Sequence, residues 1–153
     1  MNAIELLKQD HDKVDKLFQK VKGEQGDTRE IFEQIRMELD VHTQIEEKIF
    51  YPYLLENGDE DLQKITKEAV QEHHQAKILL REIENLTDES DALDPKLQVL
   101  MEDITHHVQE EEGEMFPMVE EQLDGDTLDE LGEELQDMKT KLMGGKASGA
   151  SSR

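Results

Sequence analysis

Six side chains stand out by type and spacing: His11, His42, Glu46, His73, His107 and Glu111. His42 precedes Glu46 by four residues, and His107 precedes Glu111 by four. On a helix each imidazole therefore shares a face with its carboxylate, about one turn apart. Such a pair can bind one divalent cation, or the carboxylate can bridge to a second. Both pairs belong to a phrase that the chain writes twice, "HTQIEEKIFYP" at 42–52 and "HVQEEEGEMFP" at 107–117. Each phrase has Gln two residues after the His, a Glu pair at the fourth and fifth positions, and Pro at the tenth. A looser repeat, "QDHDKVDKLF" at 9–18 and "QEHHQAKILL" at 71–80, matches His11 with His73.

The elements that must position these residues read as helices. Ile4, Leu7, Val14, Phe18 and Val21 fall on one 3.6-residue stripe, with His11 in the gap between Leu7 and Val14. Ile35, Leu39, Ile49 and Tyr53 mark a second stripe, and His42 and Glu46 fill it inward. Ala69, Ala76, Leu80 and Ile83 place His73 on a third, although His74 follows a neighbouring stripe with Val70 and Ile78, so periodicity leaves both open. In the fourth segment Leu97, Met101, Ile104, Val108 and Met115 place His107 and Glu111 inward, while His106 leans toward Glu102, Asp103, Gln109 and Glu110 on the solvent side. Glu47 and Glu112 read as solvated helix face, and Phe50, Tyr51 and Phe116 as packing.

Turn and capping residues separate the stripes. Asp27 with Glu30 has capping-box spacing, "ENGDED" is a turn, Asp94 before Pro95 is a candidate cap, and Thr127 with Glu130 repeats the device. Period-2 strand patterns are absent. These features predict an all-α fold: an up-down-up-down four-helix bundle over 1–143 with an additional short C-terminal helix built on Leu128, Leu131, Leu135, Met138 and Leu142. The last ten residues, 144–153, predict a flexible tail. The two repeats make the bundle two helical hairpins related by a pseudo-two-fold, each supplying one lone His and one His-x-x-x-Glu.

The chain has 153 residues, which favours one domain, and 17 Lys+Arg against 39 Asp+Glu give a net charge of −22. That charge repels phosphate backbones and anionic lipid, so neither nucleic acid nor membrane is an expected partner. Cysteine is absent, which excludes thiolate ligation, iron–sulfur clusters and cysteine nucleophiles. Glu5 and Lys8 interrupt the N-terminal apolar stretch that a signal peptide would need, and a cytoplasmic location is the expectation.

An unpaired ionised carboxylate in a core costs several kcal/mol even after relaxation, and two are expected there, Glu46 and Glu111. A divalent ion reverses that balance by stabilising the carboxylates and holding the imidazoles neutral. Six inward ligands exceed what one ion with an open position needs and suit two ions bridged by the carboxylates. Imidazole with carboxylate fits iron best, with Mn and Zn as rivals. The Glu-x-x-His spacing of ferritin-type di-iron bundles occurs nowhere in the chain.

With "DH" at 10–11, "EHH" at 72–74 and the two Pro-ended phrases, the chain resembles the hemerythrin-like, or HHE cation-binding, domain family over about residues 1–120. The resemblance implies a four-helix bundle around two Fe ions, oxo- or hydroxo-bridged. His11, His42, His73 and His107 would be terminal ligands, and Glu46 and Glu111 bridging ones. It further implies binding of dioxygen or a related small oxidant, such as peroxide or nitric oxide, or alternatively an iron or oxygen sensor or storage module without turnover. Oxygen-carrying members place a further His four residues after the helix-three ligand, where this chain has Lys77. The position it leaves is open to water, an anion or a tyrosine oxygen, from Tyr51 or Tyr53.

Overall fold

The computed structural model describes residues 1–151, with side chains described as far as Gly144, and its elements are helical throughout. α1 spans Ala3–Lys22 and opens on a full capping box: Asn2 Oδ1 accepts from the Glu5 N–H at 2.9 Å, and Glu5 Oε1 accepts from the Asn2 N–H at 3.0 Å. α2, Thr28–Ile45, is capped by the predicted Asp27, which accepts from the Glu30 N–H. In the loop between them Gly26 adopts φ +104°, a conformation that side-chain-bearing residues rarely adopt. α3 spans Tyr51–Asn57, α4 Glu60–Glu84, α5 Leu93–Glu110, α6 Phe116–Gln122 and α7 Gly125–Ser151.

Three boundary expectations are corrected. α5 begins at Leu93, with Ala92 in the cap position, so Asp94 lies in the first turn rather than before it. Leu93 is buried, and the helix starts two residues early. At the last helix Asp124 is the side chain that accepts from the Thr127 N–H, so Thr127 is a donor rather than the cap. The C-terminal helix is also not short: α7 runs for 27 residues, through most of the stretch expected as a tail. Glycine weakens a helix by about 1 kcal/mol per residue relative to alanine without forbidding it. Flexibility of 144–153 falls on side chains beyond Gly144, and on Ser152 and Arg153, which lie outside the described residues.

The core consists of two apolar clusters with a polar layer between them. Leu7, Ile45, Phe50, Leu62, Ala69, Phe116 and Val119 belong to the first. Val14, Phe18, Leu39, Ala76, Leu80, Leu97 and Ile104 belong to the second. α1 and α4 pass from the first cluster to the second, α2 returns, and α5 returns with Met115 and Phe116 that follow it. His11, His42, His73 and His107 lie at the four crossings. α1 packs on α2 and α7, α4 on α5, and α3 on α4.

α7 adds Leu128, Leu131 and Leu135 to the first cluster only. It approaches the N-terminus so closely that a Cβ on Gly132 would lie 2.4 Å from Met1 O and 2.8 Å from Asn2 C. Among the described residues no helix is long and apolar enough to cross a membrane. The close approach generates a test. Gly132→Ala gains helix propensity yet forces α7 off the start of α1, so it should destabilise by about 1–3 kcal/mol net, read as a lower urea midpoint. An unchanged or higher midpoint would show that α7 is free to shift.

Candidate metal centre

Both repeated phrases end in a change of helical winding. α2 passes at Glu46 into a π-helical turn, Glu46–Phe50, before α3 resumes; α5 passes at Glu111 into another, Glu111–Met115, before α6. The prolines account for the widening. Pro52 and Pro117 have no N–H to donate, and their rings crowd the carbonyl four residues back. A wider turn relieves that crowding without breaking the helix. The Tyr51 N–H donates to Glu46 O and the Phe116 N–H to Glu111 O, each five residues back. Tyr51 and Phe116 thus sit one wide turn below the glutamates and face the interior with them, at 1 % exposure each. π-turns cluster at functional sites. The spacing of Glu to Pro was the sequence signal for them.

The six residues singled out from the sequence are all buried and all converge. His73 and His107 face inward, whereas His74 and His106 are exposed, which resolves both ambiguities of helix phase. Potential ligand atoms of His11, His42, Glu46 and Glu111 lie within 4.8 Å of one another, and so do those of Glu46, His73 and His107. Glu46 joins the two groups. Its Oε1 lies 3.0 Å from His42 Nε2 and 3.1 Å from His73 Nε2, while Glu111 Oε1 is 3.0 Å from His11 Nε2 and Glu111 Oε2 is 3.4 Å from His107 Nε2.

These short distances are not matched by hydrogen bonds. His11 Nε2, His42 Nε2, both carboxylate oxygens of Glu46 and Glu111 Oε1 are buried without a hydrogen-bond partner among the described residues. Burying a polar atom unsatisfied costs about 1–3 kcal/mol, more for a charged one. Five such atoms pointing into one small volume fit a group that accepts lone pairs, which is what a cation does.

Outside this inner set stands a second ring of carboxylates. The Nδ1 of His11 pairs with Glu112 at 2.6 Å, that of His42 with Asp10 at 3.0 Å, that of His73 with Glu47 at 2.8 Å and that of His107 with Glu72 at 2.7 Å. An Nδ1–H donated outward leaves the Nε2 lone pair directed inward, the arrangement that orients metal-ligating histidines. Glu47 and Glu112 are therefore not the solvated helix face expected from the sequence. Their side chains are about a quarter to a third exposed, at 27 % and 35 %, and each reaches the lone His of the other hairpin. Asp10 and Glu72, each directly before a lone His, serve the other His of their own hairpin. Periodicity could not reveal this, because all four lie at helix margins.

Lysines complete the ring. Lys77 Nζ donates to Glu47 Oε1 at 2.7 Å, so it supports an outer carboxylate rather than facing the centre. Lys139 of α7 donates to Asp10 Oδ1. With neutral imidazoles, six carboxylates (Asp10, Glu46, Glu47, Glu72, Glu111 and Glu112) and these two ammonium groups hold four net negative charges. That is the formal complement of two divalent cations.

The same field governs protonation in the cation-free protein. Burial opposes a charged His42, but Glu46 and Asp10 outweigh it and hold its pKa at about 10; Glu111 and Glu72 outweigh burial to hold His107 at about 11. His73 is raised by Glu46 and Glu47 against its burial. Glu47 falls to about 2 because His73 hydrogen-bonds it and Lys77 adds to the effect against partial burial.

The pseudo-two-fold breaks at a position that faces the centre. Tyr51 and Phe116 are equivalent in the repeat, yet the Tyr51 hydroxyl donates to Glu111 Oε2 and lies 3.3 Å from His73 Nε2 and 3.5 Å from His107 Nε2. Burial and the nearby Glu111 and Glu46 push its pKa well up, so the phenol keeps its proton. Phe116 instead stacks on His11, with ring centroids 6.0 Å apart. Of the two tyrosines weighed from the sequence, Tyr51 reaches the centre; Tyr53 is only partly buried and packs on the first apolar cluster.

A helical scaffold that turns four imidazoles and two carboxylates toward one volume defines a cation-binding class of protein. The family model of the hemerythrin HHE cation binding domain matches residues 2–119, and the chain belongs to that family. In fold it is similar to a hemerythrin HHE cation binding domain-containing protein from Mycobacterium kansasii. Its crystal structure superposes with a TM-score of 0.80 at 24 % identity, covering 95 % of this chain and 89 % of the other. The chain is also 27 % identical to a DNA nickase from Nostoc sp. over 98 % of its own length, but it spans only 43 % of that relative.

Two tests follow from the rings. Glu46→Ala and Glu111→Ala should lose metal outright, while Glu47→Ala and Glu112→Ala should weaken it by about 10–100-fold. The exposed Glu114→Ala should leave it unchanged, all read by chelator competition. Equal effects at Glu47 and Glu114 would remove the outer ring from the account. The second test is pH. A raised histidine pKa contributes stability that is full below the ordinary value of 6.5 and lost as pH rises through about 10 to about 11. The melting temperature of metal-free protein should therefore fall steadily across that window. A flat profile would contradict the proposed proton balance.

Proposed function

We propose that the chain is a non-haem di-iron protein that binds dioxygen or a related small oxidant, peroxide or nitric oxide, in redox or stress handling in the cytoplasm. His11 and His42 would hold one ion, His73 and His107 the other, and Glu46 and Glu111 would bridge them. The observation that carries this reading is that the five buried atoms without partners all belong to those residues. The alternating traverse of α1, α2, α4 and α5 between the two clusters supports an up-down-up-down bundle flanked by α7.

Iron bound there would supply one-electron redox chemistry and an open position for a small ligand, with manganese and zinc as weaker fits to the donor set. The surrounding residues differ between the two halves. Phe116 stacks an apolar ring on His11 on one side. Tyr51 offers the other side a buried hydroxyl whose proton already bonds Glu111. A polar oxidant is therefore better received beside His73 and His107, where Tyr51 would turn its hydrogen bond from Glu111 to the oxidant. Lys77 stays outside, which weighs against the five-histidine arrangement of reversible carriers. The nickase relative does not extend the proposal to DNA, because 22 net negative charges oppose a phosphate backbone.

A second reading, an iron or oxygen sensor or storage module without turnover, draws on one observation. Lys139 of α7 bonds Asp10, and Asp10 bonds His42, so the C-terminal helix is tied to the centre. Metal analysis after anaerobic ferrous loading should find about two irons per chain, and azide should change the near-ultraviolet spectrum of the oxidised protein. Protein that takes up no iron would end both readings. If azide leaves the spectrum unmoved while iron alters hydrogen exchange in α7, the sensor reading replaces the first.

A further inference from the structure

The proposed cations lie behind side chains of 0 to 6 % exposure, so any ion that reaches them crosses a wall of packed helices. Among the described residues two small clefts touch that wall. One, of about 150 Å³, lies between α1 and α5 and reaches His11 and Glu112; its outer residues include Asp12 and Asp15 but no further imidazole. The other, of about 110 Å³, lies between α4 and α5, and its lining contains His73 and His107 together with Glu72, Asp103 and His106.

The rim of this second cleft carries a third ligand set. Glu72, His106 and Glu110 bring potential ligand atoms within 4.8 Å of one another, the one such group outside the buried centre among the described residues. His106 is exposed, with Nε2 2.9 Å from Glu110 Oε1. Glu72 is about one-third exposed and Glu110 similarly so. Two carboxylates and an imidazole this close offer a divalent first-row cation a mixed oxygen and nitrogen ligand set. Glu72 faces both ways: its Oε1 also accepts from His107 Nδ1, 2.7 Å away.

We infer that Glu72, His106 and Glu110 form a capture site for a divalent first-row cation at the mouth of the α4/α5 cleft, from which the buried centre is loaded. Three protein ligands of mixed type, with water completing the shell, hold such an ion strongly enough to concentrate it and weakly enough to release it. The acidic surface adds to the local cation concentration. The α1/α5 cleft lacks an equivalent, so loading is one-sided and begins next to His73 and His107. The loading role rests on the two-iron reading of the preceding subsection.

The test uses the full chain stripped of metal, and follows anaerobic uptake of ferrous ion by stopped flow, with final iron content measured separately. His106→Ala combined with Glu110→Gln should slow uptake by about tenfold or more and leave final iron content at the wild-type value. Asp12→Asn with Asp15→Asn, at the other cleft, should leave the rate unchanged, and His106→Asp, which restores an oxygen ligand, should recover most of it. Circular dichroism confirms that each surface variant is folded. A wild type that fills while the His106/Glu110 variant fills equally fast overturns the capture site alone. A wild type that never fills overturns the centre, and the loading role with it.

Discussion

Glu46 and Glu111 are carboxylates at 0 % and 1 % exposure in the middle of a helical protein, and the rest of the molecule is organised around the electrostatic problem they pose. In a low-dielectric interior each ionised carboxylate forfeits several kcal/mol of hydration, as much as one or two buried leucines return. Two apolar clusters supply the stabilisation that tolerates this layer, one above it and one below. Imidazoles offer the only nearby nitrogen lone pairs, and outer carboxylates fix the direction in which those lone pairs point. Four negative charges remain, which protons on His42, His73 and His107 offset in part and divalent cations can offset in full. Metal binding and proton release are thereby coupled in the centre itself.

Symmetry makes the arrangement compact in information. Each hairpin contributes an acid, a lone His, a His-x-x-x-Glu and a second Glu, and the same roles fall on equivalent residues of both. The inner ring is built within and between hairpins, while Glu47 and Glu112 reach across to the lone His of the opposite hairpin. Those crossings tie the hairpins together at the level of the polar layer, where apolar packing is thinnest. Where the symmetry fails, the two halves differ: a hydroxyl on one side and a phenyl ring on the other give them different polarity.

α7 lies outside the repeat and acts on one half only. It covers the first apolar cluster, presses on the N-terminus at Gly132 and sends Lys139 to Asp10. Lys77 occupies the corresponding supporting role toward Glu47 on the other half, from within the repeat. The two halves thus reach the same electrostatic end by different elements, and only one of them can be adjusted by movement of a terminal helix.

The sequence by itself determined the helical class, the inward face of each helix and the six inner residues, since all of these follow from 3.6-residue periodicity and a repeat. It also determined that His42 with Glu46 and His107 with Glu111 would act as units, because one turn of helix fixes their separation. It could not assign Glu47, Glu112, Asp10 and Glu72, which sit where a helix face meets its neighbour and whose partners lie 26 to 101 residues away. It could not choose between Tyr51 and Tyr53, because the choice depends on a π-turn that shifts the helix by one residue. Nor could it foresee that α7 would continue past Gly144 or that Lys139 would reach the polar layer. Local chemistry dictates which face of a helix is apolar, but the contacts at its edges exist only once other helices are packed against it, and there the tertiary structure decided.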